Sequence, residues 1–170
     1  MIERRKLFLL RHGIAAVKGA AYPDDRLRPL TRKGMREIER AAQGMKALGM
    51  KFDLILTSPY GRARQTAEIV ARGLGLRKKI KLSSALRSEA KPGEILRELK
   101  TKYGKYKRLL LVGHEPFLSR LISILISGKD GCSLDFKKGS LCKLNANLPL
   151  RPQSATLKWL LTPKQLMSFR

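Results

Sequence analysis

Leu7-Phe8-Leu9-Leu10-Arg11-His12-Gly13 decides the reading of this chain. The apolar run predicts a buried strand, and that strand delivers an arginine, a histidine and a glycine at its carboxyl end. In open α/β sheets, ligand sites lie beyond the carboxyl ends of the strands. A guanidinium fork binds oxyanions bidentately and a neutral imidazole can attack phosphorus, so Arg11 beside His12 suits a phosphoryl group. Gly13 is expected to let the backbone turn and approach closely. The sequence holds one other histidine, His114, which follows a second apolar run, Leu109-Leu110-Leu111-Val112-Gly113, in the same way. Two strands ending in the only histidines available point to one shared site.

Outward from these strands the pattern alternates. Ile14 to Leu30, with Tyr22-Pro23-Asp24-Asp25 and Arg28-Pro29, reads as loop. Thr31 caps a predicted helix along Met35, Ile38, Ala42, Met45 and Leu48, closed by Gly49. Phe52 to Thr57 is a second strand. Ser58-Pro59 then reads as a helix start, with the serine as cap, the proline in the first turn and the helix running Tyr60 to Leu74. Arg62 and Arg64 lie in its first turn, beside amides without intrahelical partners, a natural anion site. Of the two, Arg64 is expected on the surface.

Arg77 to Leu82 reads as a short basic strand or connector, Ser83 to Lys91 as loop, and Pro92 to Tyr103 as helix. Arg108 to Val112 forms a further strand, and Pro116 opens a helix apolar around most of its circumference, broken at Ser127-Gly128. Glu115 suits that helix's first turn. Leu141 to Asn145 and Ala155 to Leu161 read as antiparallel strands, with Trp159 expected in the core, and Pro163 to Phe169 as a terminal helical turn. The β-α-β-α order predicts an α/β fold: a three-layer α/β/α sandwich on a mostly parallel sheet, with an antiparallel edge near the carboxyl terminus.

Composition narrows the class. A chain of 170 residues without repeats or low-complexity linkers is expected to form a single domain over residues 1–170. Cys132 and Cys142, in a chain read as having no secretory leader, are expected as reduced thiols, and the protein as cytoplasmic. No segment approaches the length of a membrane span. Two histidines and two cysteines without C-x-x-C or H-x-x-x-H spacing do not predict a zinc site.

The 37 Lys plus Arg against 13 Asp plus Glu give a net charge of +24. Such a field attracts polyanions, among them nucleic acid, anionic lipid, polyphosphate and acidic phosphoproteins. The cations are dispersed, with short clusters at Glu3-Arg4-Arg5-Lys6, Arg77-Lys78-Lys79, Lys105 to Arg108 and Lys137-Lys138. They read first as a solvated surface and second as a polyanion-attracting face.

Four blocks together resemble a known family. Leu10-Arg11-His12-Gly13, Arg28-Pro29-Leu30-Thr31 with Gly34, Thr57-Ser58-Pro59 with Arg62-Ala63 and Gln65-Thr66-Ala67, and Val112-Gly113-His114-Glu115-Pro116 resemble the histidine phosphatase superfamily, the phosphoglycerate mutase-like proteins. Within it they resemble the small SixA-type phosphohistidine phosphatases. The resemblance covers residues 7 to about 126.

It implies that His12 is the histidine phosphorylated in the catalytic cycle. Arg11 and Arg62 would hold the phosphoryl oxygens, and His114 would contact the same group and stabilise the transferring charge. Phosphoryl transfer spreads negative charge over equatorial oxygens, so positioned cations do the electrostatic work, and no metal or cofactor is called for. The stretch Leu86 to Glu94 does not match the acid-bearing pattern of the larger members, where a mid-chain carboxylate protonates the leaving group. Glu89 could serve, or could simply balance surface charge.

The lack of a clear acid favours a phosphohistidine substrate, whose imidazole leaves more easily than an alkoxide. The expected activity is therefore metal-independent hydrolysis of phosphohistidine in a signalling protein, with phosphate or another oxyanion in the site. One alternative is the same chemistry on small or polymeric phosphate compounds. Another is a polyanion or nucleic-acid binding module, against which stands the lack of an aromatic ladder or basic groove-reading helix.

Overall fold

The computed structural model describes residues 4–169, so Glu3 of the first basic cluster lies outside the described residues. Six strands form one sheet in the order β3-β2-β4-β1-β5-β6. They are β1 (Arg4–Arg11), β2 (Leu54–Thr57), β3 (Ile80–Leu82), β4 (Arg108–Gly113), β5 (Leu141–Asn147) and β6 (Ala155–Leu161). The first four in spatial order run parallel, while β5 and β6 add an antiparallel edge, as the sequence pattern predicts.

Side chains alternate across the pleat, so Leu7 and Leu9 enter one core and Phe8 and Leu10 the other. The first core is closed by α3 (Pro92–Thr101) and α4 (Phe117–Ser127). The second is closed by α1 (Arg32–Ala47), α2 (Gly61–Gly73) and the short α5 (Pro163–Leu166). Two apolar layers on one sheet make the expected α/β/α sandwich.

Local signals hold at most boundaries. The Thr31 hydroxyl accepts from the Gly34 amide at 2.9 Å, and Gly128 ends α4 in the left-handed conformation at φ 81°. Three expectations change. Helix α2 begins at Gly61 with no side-chain cap, because Ser58 is used elsewhere. Trp159 is only half-buried, since β6 is the sheet's edge. Leu48 is 41% exposed, at the end of α1 rather than in its core stripe.

Gly44 lets α5 pack closely on α1. A Cβ there would lie 1.8 Å from the Leu166 carbonyl oxygen, so α5 rests directly on the α1 backbone. Gly44→Ala raises helix propensity by about 1 kcal/mol, yet must push α5 away at a cost of about 1–3 kcal/mol. With Leu166 fully buried beneath, the clash should win, lowering Tm by roughly 2–8 °C in a thermal melt. A raised Tm would show that this contact does not hold α5 in place.

Candidate active site

The parallel pairing of β1 with β4 sets Arg11 opposite Gly113, and the His12 amide continues the ladder to the Gly113 carbonyl at 3.0 Å. The residues that follow each strand are the two histidines. Their rings come within 5.1 Å, centroid to centroid, tilted at 55°. Both are enclosed, His12 at 6% and His114 at 1% exposure. Arg62, at the start of α2, is also buried. Its guanidinium lies 5.6 Å from the Tyr60 ring centre, and Tyr60 in turn lies 5.3 Å from the His114 ring. Arg11 is half-buried at the end of β1. The four residues singled out from sequence therefore converge.

Hydrogen bonds fix the chemistry of the rings. The His12 Nδ1 lies 2.7 Å from the Gly13 carbonyl oxygen, which can only accept, so Nδ1 carries the proton and Nε2 keeps its lone pair. The His114 Nε2 lies 2.8 Å from the Ser58 hydroxyl, which also accepts from the Tyr60 amide at 3.3 Å. The hydroxyl has no other acceptor among the described residues and donates its proton to Nε2, which puts the proton of His114 on Nδ1. Among the described residues, three buried nitrogens here have no hydrogen-bond partner: His114 Nδ1, Arg11 Nε and Arg62 Nε. Buried polar groups are rarely left unmatched, so three around one pair of imidazoles mark a place shaped for an acceptor.

Both guanidinium groups are anchored through other nitrogens. Arg62 donates to the Asp25 carbonyl at 2.7 Å and pairs with its carboxylate at 2.9 Å. Arg28 also holds that carboxylate, at 2.9 Å, and donates to the Ala16 carbonyl at 2.9 Å. Burial tends to raise the Asp25 carboxyl, but Arg62 and Arg28 outweigh it and keep it below the usual carboxylate range. Arg11 donates to the Phe136 carbonyl at 2.7 Å, and the Gly139 amide caps the carbonyls of Arg11 and His12 at 3.1 Å each. Gly139 reaches that position at φ 79°, which favours glycine. The segment between α4 and β5 thus serves the site, a role its irregular sequence did not reveal.

Other expectations resolve one by one. Arg64 is exposed and pairs with Glu68 at 3.4 Å, as expected for a surface residue. Glu115 accepts from the Ser119 amide at 3.0 Å and from its hydroxyl, at the start of α4. Gly13 serves packing rather than a turn: an added Cβ would meet Ile38 at 2.8 Å. The Tyr60 amide donates to the Ser58 hydroxyl at 3.3 Å and the Ala63 amide to the Tyr60 carbonyl at 3.0 Å, which removes two of the helix-start donors expected for an anion. Glu89 is exposed but tethered, since the Tyr60 hydroxyl donates to it at 2.5 Å and holds its carboxyl below the usual range. Among the described residues, no group of three or more His, Cys, Asp or Glu is placed to hold a metal ion. No helix there is long and apolar enough to cross a membrane.

Sequence reasoning missed Asp25 and Ser58. Asp25 lies in a loop without periodicity, where its one signal was an acidic residue flanked by Arg26 and Arg28 in a basic chain. Ser58 stood before a proline, a pattern that reads equally well as a helix cap.

The chain is similar to several known proteins. Residues 7–94 match the model of the histidine phosphatase superfamily (branch 1). An uncharacterized protein of Picosynechococcus sp. is 38% identical over 143 residues, covering 83% of this chain and 85% of that protein. Phosphohistidine phosphatase SixA of Escherichia coli is 29% identical over 125 residues, covering 73% of this chain and 76% of its own. Among solved structures, the protein histidine phosphatase SixA complexed with tungstate superposes with a TM-score of 0.82 at 25% identity, covering 95% of this chain and 99% of that one.

Burial, joined by the positive charge of Arg62 and Arg11, lowers the His12 pKa from 6.5 to about 3. Burial together with His12, Arg62 and Arg11 lowers His114 to about 2. Both rings are therefore neutral at pH 7. Below pH 6.5 the unfolded chain takes up protons that the folded chain refuses, so the rings' stabilisation is complete above that pH and is lost as pH falls toward 3. Well below pH 6.5 the two rings together should cost about 2.7 kcal/mol per pH unit. Urea unfolding between pH 7 and 5 should show this loss, with a shallower slope in His114→Asn. An imidazole proton resonance titrating near pH 6.5 in the folded protein would contradict it.

Proposed function

The chain belongs to the histidine phosphatase superfamily, and from the three unmatched nitrogens around its paired imidazoles we propose that it hydrolyses phosphohistidine in a protein substrate. His12, Arg11, Arg62 and His114 carry the reaction in this reading. The phosphoryl oxygens accept from Arg11 Nε, Arg62 Nε and His114 Nδ1, the nitrogens left without partners. The unprotonated His12 Nε2 attacks phosphorus in line with the leaving nitrogen. A new N–P bond forms on His12 as the substrate's N–P bond breaks, and the departing imidazole takes a proton from solvent. Water then attacks the same phosphorus, giving phosphate and restoring His12. Developing charge on the equatorial oxygens meets fixed cations in a site with little water, where such contacts count most.

Three observations support the finer reading. Tungstate, bound by the SixA relative, is an oxyanion of the kind this arrangement suits. Glu89, the carboxylate that the Tyr60 hydroxyl holds, is exposed and kept ionised by that bond, which suits a reaction that needs no strong general acid. The segment bordering the site exposes Val17 at 86% and Leu27 at 72%. Leu27 lies two residues from Asp25, the partner of Arg62, so apolar surface stands beside the catalytic groups. Exposed apolar side chains beside the site suit contact with a protein partner. The net charge of +24 favours the second reading, a small or polymeric phosphate substrate.

The test is rapid-quench kinetics with a phosphorylated histidine-containing protein domain, followed by a panel of small phosphate esters at several ionic strengths. Acid-labile phosphate should appear on wild-type enzyme, and His12→Ala should lose the label and on the order of 10³-fold or more in phosphate release. Glu89→Gln should leave phosphohistidine hydrolysis within about threefold, whereas a working general acid contributes roughly 10²–10⁴-fold. Equal rates in wild type and His12→Ala would end the mechanism. Small esters turning over orders of magnitude faster than phosphohistidine would instead replace the substrate.

A further inference from the structure

A second cleft lies on the same sheet, toward the amino-terminal end of β1. Strand register sets Phe8 opposite Lys143, and Lys143 opposite Trp159. These three side chains, with Lys6, Arg108 and Leu161, floor a cavity of about 470 Å³. Its wall is the turn after α1, Leu48 to Lys51, and Phe169 stands at its edge. On the other side of this sheet face α1 and α5 cover the apolar surface, but the β5–β6 edge is left without a helix, which is why Trp159 is half-exposed. Leu48 at 41% and Phe169 at 37% exposure extend an apolar rim.

The charge of this cleft is one-sided. None of its lining residues is acidic, whereas two other clefts carry Glu39 with Glu68 and Glu94 with Glu98; the basic cleft along Gly75 to Lys79 also lacks an acid but has no aromatic side chain. Arg108 is already neutralised, holding Asp53 at 2.6 Å. Lys6, Lys51 and Lys143 have no carboxylate within 4.0 Å among the described residues. The Lys143 ammonium lies 5.7 Å from the Phe8 ring centre and 5.8 Å from that of Trp159. Partial burial, then Lys6 and Lys158, lower its pKa, so the lysine is short of counter-charge.

We propose that this cleft binds a mononucleotide, its phosphate among Lys6, Lys51 and Lys143 and its base against Trp159 and the apolar rim. Three lysines without carboxylate partners around one cleft suit an anion, and the aromatic floor adds a preference for a flat apolar ring that phosphate alone cannot use. The volume falls within the range of small-ligand pockets, and no continuous aromatic track leads out of it, which favours a single nucleotide over a nucleic-acid strand. The site is separate from the paired imidazoles and does not depend on the reaction they carry out.

Trp159 is the only tryptophan, so its emission reports on this cleft directly. Titrations use the His12→Ala chain, in which AMP is not consumed, with AMP, adenosine, inorganic phosphate and a short oligo(A) as probes. AMP should give a saturable change in emission, and adenosine or phosphate alone should bind at least about tenfold more weakly, the loss of one half of the contacts. Lys143→Glu and, separately, the exposed Lys51→Glu should each weaken AMP by about tenfold or more while leaving phosphatase activity of the otherwise wild-type chain unchanged. No response to AMP, or a response to oligo(A) without one to AMP, overturns the proposal. So does a response lost in Arg62→Ala but retained in both lysine variants, which would put the nucleotide between the imidazoles.

Discussion

The structure depends on the parallel register of β1 against β4. His12 and His114 are separated by about a hundred residues, yet each directly follows the strand residue that faces the other strand's end, Arg11 opposite Gly113. Because the strands are parallel and end at one level, the first residue beyond each projects into the same space. The His12 amide bonded to the Gly113 carbonyl extends the ladder to that point and holds the two rings 5.1 Å apart. Slippage by one residue would send Leu7 and Leu9 into the core now filled by Phe8 and Leu10, and both cores enforce the observed pairing. The apolar face of the sheet thus fixes the geometry of the polar site.

Around that geometry, charge is placed with economy. The arginines remain cationic although burial lowers the pKa of both Arg11 and Arg62, and the imidazoles stay neutral because burial and those cations oppose a further positive charge. A nucleophilic nitrogen and fixed positive donors coexist as a result, with no acid–base adjustment needed before an oxyanion arrives. Asp25 keeps Arg62 and Arg28 oriented by engaging nitrogens other than Arg62 Nε, so the anchor and the open donor belong to one guanidinium. Phe136 does the same for Arg11 through a backbone carbonyl.

Most of this was legible because it is local. Arg11, His12 and His114 sit where an apolar run stops, and Arg62 where a helix starts, and such boundaries follow from periodicity and turn chemistry alone. The fold class followed from the same alternation. What escaped was held by long-range or non-periodic contacts. Phe136 reaches Arg11 across 125 positions through its carbonyl, which carries no sequence signal. Ser58 satisfied a local rule, the serine before a proline at a helix start, but its hydroxyl goes to His114, 56 positions away. Trp159 looked like core by residue type, and only the strand order, with β6 outermost, shows why one side of it lies open.

Burial and hydrogen-bond partners divide the many cations of this chain into two kinds. At the carboxyl ends of β1 and β4 the guanidinium of Arg62 is buried and that of Arg11 half-buried, and each has a dedicated oxygen partner, so their positions are set before any ligand binds. Most other arginines either pair with exposed carboxylates, as Arg26 does with Asp24 and Arg72 with Glu39, or stand in solvent. Pairs of that kind contribute little to stability. Position and partner, rather than number, therefore separate a working cation from a solvated one. By that standard Arg11 and Arg62 are set in place by the fold, whereas the clusters Arg77-Lys78-Lys79 and Lys137-Lys138 stand exposed at the surface.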